Sequence, residues 1–80
     1  MSMSWVMYSK KQCPYCDRAR TFLEAKGIDL VEKKIDEDDS IKEEMFKLVP
    51  NARTVPQIFH DGTSVGGWDK LEAYWLTLNA

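Results

Sequence analysis

The chain has 80 residues and a formal net charge of −2, which predicts one small domain over residues 1–80 and gives no reason to expect a nucleic-acid binder. It has no apolar run near the ~18 residues of a membrane span, and Met1–Met7 lacks the basic and apolar regions of a secretory signal. Its two cysteines lie three positions apart, unlike the widely spaced disulfides of small secreted proteins. We therefore expect a cytoplasmic, monomeric domain without membrane contact.

The first half of the chain reads as strand, helix and strand. Ser4–Tyr8 is apolar and partly β-branched or aromatic, which is typical of a short buried strand. Pro14 suits the first position of a helix, and Gly27 suits the left-handed residue that ends one. Ile28–Ile35 alternates weakly and predicts a second strand. The apolar stripe predicted for the intervening helix contains Tyr15, Ala19, Phe22 and Leu23.

A capping-box pattern marks the start of a second helix. Ser40 and Glu43 have the spacing at which a serine and a glutamate satisfy free N–H groups in a first turn. We therefore expect Ser40 to be the N-cap. Pro50 follows the predicted end, because proline cannot continue a helix. The predicted apolar stripe contains Ile41, Met45, Leu48 and Val49.

A hairpin and a third helix complete the predicted order, β-α-β-α-β-β-α. Val55–His60 predicts a third strand, and Asp61-Gly62 is a two-residue hairpin signal that should return Thr63–Val65 antiparallel. The first two strands should be parallel, because β-α-β crossovers are right-handed. The sequence thus predicts an α/β domain with a mixed four-stranded sheet flanked by helices. The last helix follows Gly66-Gly67 and should place Trp68, Leu71, Trp75 and Leu78 on one face.

The cysteines carry the chemistry that the sequence predicts most sharply. Cys13 lies just before the first helix and Cys16 lies in its first turn. Free N–H groups and the helix dipole stabilise a thiolate there, and Lys10 and Lys11 add positive charge, so the pKa of Cys13 should fall from ~8.5 to about 3.5–7.5. We predict that Cys13 is the more exposed of the two thiols and the nucleophile, and that Cys16 is the more covered, resolving thiol.

Three structural or metal-binding interpretations compete with this redox role. A purely structural disulfide over four residues would constrain the unfolded chain by only ~2 kcal/mol. A zinc site would need four ligands, and His60 is the one histidine available. The cysteines would otherwise be inert core residues at helical spacing. The position of the pair between a strand and a helix, with Pro14 inside it, favours the redox role, and no metal is expected.

Four motifs together resemble the glutaredoxin family. They are Tyr8-Ser9-Lys10, Cys13-Pro14-Tyr15-Cys16, the segment 54–59 (Thr-Val-Pro-Gln-Ile-Phe) and Gly66-Gly67-Trp68-Asp69. The resemblance covers nearly the whole chain and implies a thioredoxin-like fold. It also implies a disulfide oxidoreductase with glutathione as reductant and co-substrate. Its substrates would be protein disulfides or glutathionylated proteins, and ribonucleotide reductase is a usual partner in the family.

The resemblance also implies where glutathione would bind. Val55, before a cis Pro56, would pair its backbone with the cysteinyl unit, as in strand addition. Gly67 would let the backbone approach the ligand, and the Trp68 amide and Asp69 would hold the γ-glutamyl end. Family members often carry a small residue or a cysteine in place of Trp68, so its bulk bears on the shape of the pocket.

Lys10 and Tyr15 match the remaining family positions. Lys10 would face the glycyl carboxylate and Tyr15 would flank the tripeptide, with Arg53 a further basic candidate by its charge and its nearness to Val55. The alternatives are a merely solvated Lys10 and a core-facing Tyr15. Likewise, Gly66-Gly67 could form only a turn, and Asp69 could cap a helix without binding a ligand. The acidic run 36–39 is interpreted as a solvated helix start, with docking of a basic partner as the alternative.

Two other functions fit a glutaredoxin-like chain. One is a redoxin reduced by thioredoxin reductase, a group that usually lacks the Gly-Gly-x-Asp segment present here. The other is a dimer that holds a [2Fe–2S] cluster with two glutathiones, which Pro14 disfavours in the family. Our first hypothesis is the glutathione-dependent dithiol enzyme.

Overall fold

A computed structural model describes residues 4–78 of the chain, and residues 1–3 and 79–80 of the predicted domain lie outside the described residues. Within residues 4–78 the predicted element order is confirmed. The strands are β1 (Trp5–Ser9), β2 (Leu30–Lys34), β3 (Gln57–His60) and β4 (Thr63–Gly66). The helices are α1 (Pro14–Ala25), α2 (Asp39–Leu48) and α3 (Trp68–Leu78).

The strands of this region form one mixed sheet in the order β2-β1-β3-β4. β1 runs parallel to β2, with Trp5 opposite Leu30, and antiparallel to β3, with Trp5 opposite His60. β3 and β4 form the predicted hairpin, and its turn residues Asp61 and Gly62 have φ values of 51° and 83°, as a type I′ turn requires. This thioredoxin-like arrangement confirms the predicted fold class. Because β1 is a central strand, the loop that follows it leaves from the middle of the sheet.

Alternate residues of β1 point into two cores, one on each face of the sheet. Met7 packs with Leu23 of α1 and Leu71 of α3. Tyr8 points the other way and packs with Met45 of α2. Helices α1 and α3 therefore cover one face and α2 covers the other. Both cysteines belong to the first of these cores, so the redox turn is built directly against the sheet.

The capping box predicted at Ser40 is wrong. The N-cap of α2 is Asp38, whose carboxylate accepts the backbone N–H of Ser40 at 2.9 Å and its hydroxyl at 2.8 Å. A charged carboxylate two residues upstream provides a stronger acceptor than the serine hydroxyl, so the helix begins earlier and Ser40 lies inside its first turn. The same bonds lower the pKa of Asp38, with the bond from the Ser40 side chain as the largest cause.

Several predicted boundaries and apolar stripes also need correction. The buried face of α1 is formed by Cys16, Ala19 and Leu23, so Tyr15 is turned outward instead of leading the stripe. Leu48 and Leu78 are exposed, each being the last residue of its helix. The predicted strand starts at Ile28 and Val55 lie two residues too early. The N–H of Ile28 is bonded to the Leu23 carbonyl at 3.1 Å as part of the helix end, and Pro56 has no N–H for the ladder.

Candidate active site

The redox turn sits where the sequence predicts it. Cys13 is the N-cap of α1 in an extended conformation, and Pro14 occupies the first helical position. The backbone N–H of Cys16 points at the sulfur of Cys13, 3.1 Å away, and a disulfide joins the two residues across a Cα–Cα distance of 5.2 Å. Cys13 retains 6% exposure and Cys16 none. In the reduced protein the same N–H and the helix dipole would stabilise a thiolate on Cys13.

A cis peptide bond joins Val55 to Pro56 directly beside this turn, as the resemblance implied. The carbonyl oxygen of Val55 lies 3.8 Å from the sulfur of Cys13. The segment that precedes β3 is separated from Cys13 by more than forty positions in the sequence. The fold therefore brings the backbone of Val55 into contact with the reactive atom.

A groove of about 520 Å³ includes Val55 in its lining. It brings together six of the seven residues that the family resemblance assigns to glutathione, from three separate parts of the chain. Its lining is Tyr15, Thr54, Val55, Pro56, Gly67, Trp68 and Asp69. Of these, Thr54 was not assigned a role from the sequence, although it lies inside the matching motif.

Tyr15 reaches the groove because it is exposed. Its side chain is excluded from the core, and the guanidinium of Arg18 lies 5.5 Å from the centre of its ring. A cation over an aromatic face is attractive and steadies a ring that has no core contact. The core-facing alternative for Tyr15 is thereby excluded, and its ring forms one wall of the groove.

Lys10 lies in a second cavity of about 260 Å³ that adjoins the groove. The two cavities share Thr54 and Val55 as lining residues. Lys42 and Arg53 line the second cavity with Lys10, so three positive charges converge beside the groove. Arg53 was a candidate from its charge and its position in the sequence. Lys42 was missed, because nothing in the sequence indicates that this lysine of α2 lies beside Lys10 at the end of β1.

Trp68 forms the wall between the groove and a further open hollow. Its indole packs edge-on against Phe22 of α1, with ring centres 6.1 Å apart. It therefore lines the groove on one side and the hollow with Phe22 on the other. The partly buried indole also packs against the core, which gives Trp68 a structural role in addition to the position of its backbone.

A network of ionic hydrogen bonds fixes α1 to the sheet beneath the redox turn. Glu32 of β2 accepts two bonds from Arg20, both at 2.7 Å, and one from the buried Ser9 hydroxyl at 2.5 Å. Arg20 also pairs with Asp17 at 2.8 Å, next to Cys16. The bonds from Arg20 lower the pKa of Glu32, against the opposite effect of burial. The helix that contains Cys16 and is capped by Cys13 is thus tied to β1 and β2.

His60 is remote from the cysteines and part of a different cluster. It pairs with Trp5 at the start of β1, at the end of the strand opposite the redox turn. Its ring stacks on Trp5 at 4.4 Å and its Nδ1 lies 2.9 Å from the hydroxyl of Tyr74. The zinc site considered with His60 therefore has no geometric basis. Within residues 4–78, no group of three or more His, Cys, Asp or Glu side chains is arranged to hold a metal ion.

Comparisons with known proteins agree with this site. The family model described as glutaredoxin matches residues 5–65. Glutaredoxin 3 of Escherichia coli is 45% identical over 67 residues, which cover 84% of this chain and 80% of that protein. A glutaredoxin of Pseudomonas aeruginosa is 40% identical over 68 residues, which cover 85% of this chain and 80% of that protein.

No helix in residues 4–78 has the length and apolar character needed to cross a membrane.

Solved structures give the same result. Glutaredoxin 1 from Francisella tularensis, crystallised with cacodylate, superposes with a TM-score of 0.79 at 30% identity, covering 99% of this chain and all of the other. The buckwheat glutaredoxin–glutathione complex also superposes with a TM-score of 0.79, at 26% identity, covering 94% of this chain and 70% of the other.

Proposed function

Because this chain belongs to the glutaredoxin family and is a thiol–disulfide oxidoreductase, we propose that it takes its electrons from glutathione. The observation that carries the proposal is the groove lined by Val55 and Asp69, because the carbonyl oxygen of Val55 lies 3.8 Å from the sulfur of Cys13. The groove offers the backbone of Val55, the N-terminus of α3 at Trp68 and the carboxylate of Asp69. These groups can pair with the backbone, a carboxylate and the ammonium group of an extended tripeptide. The buckwheat relative has been solved as a glutathione complex, which supports the same use of the groove here.

Glutathione would lie across the two cavities with its sulfur at Cys13. The backbone of Val55 would pair with the cysteinyl unit, as an added strand pairs with a sheet edge. Asp69 would accept from the γ-glutamyl ammonium group, and the Trp68 N–H at the start of α3 would donate to the carboxylate beside it. Tyr15 would cover the tripeptide from the opposite wall.

The glycyl carboxylate would lie in the second cavity. Lys10, Lys42 and Arg53 line it and can share one negative charge. Charge-assisted hydrogen bonds to a carboxylate are stronger than neutral ones, and the cluster is reached from the groove past Val55. Lys10 would therefore bind the far end of the tripeptide together with two other basic side chains.

Catalysis would proceed by two thiol–disulfide exchanges. The Cys13 thiolate attacks the glutathione sulfur of a mixed disulfide, forms a Cys13–glutathione disulfide and expels the substrate thiolate, which takes up a proton. A second glutathione thiolate attacks the glutathionyl sulfur, releasing glutathione disulfide and the Cys13 thiolate. With a protein disulfide, Cys16 attacks Cys13 in the mixed disulfide, which releases the dithiol and leaves the Cys13–Cys16 disulfide for glutathione to reduce.

The direct test of the donor is a comparison of two reducing systems. Reduction of one disulfide substrate is followed with glutathione plus glutathione reductase, and separately with thioredoxin reductase, each supplied with NADPH. We expect turnover with glutathione and at most a trace with thioredoxin reductase. Faster turnover with thioredoxin reductase would reject the proposal in favour of a redoxin. Reduction of ribonucleotide reductase, a monomeric state and a cytoplasmic location stay predictions.

A further inference from the structure

The loop between β1 and Cys13 has an unusual backbone and little support. Gln12, the residue before Cys13, has a φ of 53°, a left-handed conformation that non-glycine residues adopt only when their surroundings hold them there. Among the hydrogen bonds recorded for residues 4–78, Lys11 provides the one bond from a backbone N–H of Lys10–Gln12. The partner of that N–H is therefore a restraint on the backbone of this loop.

The partner is Asp36, the first residue of the acidic run. Its Oδ2 accepts the N–H of Lys11 at 3.0 Å. The residue before it, Ile35, donates its own N–H to the carbonyl of Ser9 at 2.8 Å. These two bonds join consecutive residues after β2 to the end of β1 and to the loop, so Asp36 is held at a defined distance from the redox turn.

We propose that Asp36 is a positioning residue for the redox loop, acting through the backbone N–H of Lys11. Lys10, on one side of that N–H, lines the basic cavity. Gln12, on the other side, leads into Cys13, which its place as the N-cap of α1 already holds. The carboxylate of Asp36 thereby sets the distance between Lys10, in the basic cavity, and the sulfur of Cys13. Losing it frees the loop to leave the left-handed conformation and carries Lys10 away from its cavity.

The role differs from that of the other acids in the run. Asp38 is the N-cap of α2 and Asp39 is in its first turn, so both serve the helix. Glu37 is exposed, has no recorded side-chain partner among residues 4–78 and carries the same charge one position along. It is therefore a matched control, because Glu37→Ala removes a charge from the same segment without removing the bond to Lys11.

Three variants separate the hydrogen bond from the charge. Asp36→Ala removes both, Asp36→Asn keeps an oxygen acceptor without the charge, and Glu37→Ala removes a neighbouring charge alone. For Asp36→Ala we expect the Lys11 amide to exchange with solvent about tenfold faster or more, because its hydrogen bond is lost. We expect KM for glutathione to rise about three- to tenfold with kcat within about twofold, as lost uniform binding predicts.

Asp36→Asn should recover most of both effects, and Glu37→Ala should match the wild type. Wild-type amide exchange and KM in Asp36→Ala would overturn the proposal, and so would an Asn variant as impaired as the Ala variant, since that result assigns the effect to charge. The KM arm rests on the proposed use of glutathione, whereas amide exchange does not. If the wild-type protein shows no turnover with glutathione, the proposed function is rejected. The exchange rate of the Lys11 amide still decides the role of Asp36.

Discussion

The backbone of Gly67 lies against the carbonyl oxygen of Pro56: a Cβ on Gly67 would be 3.3 Å from that oxygen and 3.4 Å from a carboxylate oxygen of Asp69. Both separations are at or below the edge of ordinary van der Waals contact. The close approach brings the start of α3 beside the segment that contacts Cys13. A side chain at position 67 would therefore widen the groove at the point where the two halves of the site meet.

Gly67→Ala tests this close contact. We expect KM for glutathione to rise by about three- to tenfold, because the displaced Asp69 and Pro56 no longer fit the same ligand. The rate at which iodoacetamide alkylates reduced Cys13 should stay near the wild-type value, since the helix N-terminus is unchanged. A normal KM in a folded Gly67→Ala protein would show that the contact is irrelevant to binding.

Asp69→Asn tests the recognition of the γ-glutamyl ammonium group. Losing a charged hydrogen-bond partner costs about 1.5–3 kcal/mol, so KM for glutathione should rise by roughly ten- to a hundredfold with little change in kcat. Steady-state kinetics at varied glutathione measures both constants. Glu72→Gln is the matched control, because Glu72 is exposed on the same helix and does not line the groove. Equal effects of the two changes would indicate a general loss of negative charge.

Trp68→Ala separates the indole from the backbone. The partly buried ring packs on Phe22, so we expect the free energy of unfolding to fall by about 1–2 kcal/mol, less than for a fully buried tryptophan. The backbone N–H survives the change, and KM for glutathione should stay within about threefold. Urea unfolding and steady-state kinetics measure the two effects. An increase in KM as large as that of Asp69→Asn would mean that the indole itself binds the ligand.

The Arg20–Glu32 pair predicts a pH dependence of stability. Hydrogen bonds from Arg20 are the largest cause of the lowered pKa of Glu32. A carboxyl group with a lower pKa in the folded state contributes stability that is complete above its unfolded pKa, about 4.3, and is lost as the pH falls through the folded value. The free energy of unfolding should therefore decline below about pH 4.3.

Glu32→Gln is the variant that isolates this contribution. It should be less stable than the wild type at pH 7, and the difference between the two proteins should shrink as the pH falls. Glu24→Gln, at an exposed position of α1, should leave the wild-type profile unchanged. Urea unfolding at a series of pH values gives the comparison. A difference that stays constant from pH 7 to pH 3 would contradict an ionic role for Glu32.

Much of the fold could be predicted because local signals agreed with the tertiary structure. Pro14, Gly27 and Asp61-Gly62 each have a backbone requirement that few other residues meet, and each is found where it was predicted. The N-cap at Asp38 was missed because four acids and a serine in succession offer competing caps. The residue that caps the helix depends on where β2 ends, and the end of β2 is determined by its pairing with β1.

The candidate site was less accessible to sequence reasoning where contacts cross the fold. The cis bond at Pro56 was expected only from the family resemblance, since about 5–6% of X-Pro bonds in folded proteins are cis. Lys42 and Asp36 gave no motif, because each meets the redox loop through tertiary packing. Tyr15 matched the helical stripe by spacing, yet the burial of Cys16 rotates the helix so that Tyr15 faces the groove.

The proposed mechanism depends on unequal cysteines: Cys13 forms the disulfide with glutathione, which a second glutathione resolves, whereas Cys16 is needed only to resolve the mixed disulfide with a protein substrate. The most direct measurement is intact-mass spectrometry of the Cys13→Ser and Cys16→Ser proteins incubated with glutathione disulfide, together with the rate at which each reduces a glutathionylated peptide. We predict one glutathionyl adduct on Cys13 of the Cys16→Ser protein, with peptide reduction retained, and no activity in the Cys13→Ser protein. An active Cys13→Ser protein beside an inactive Cys16→Ser protein would contradict the account.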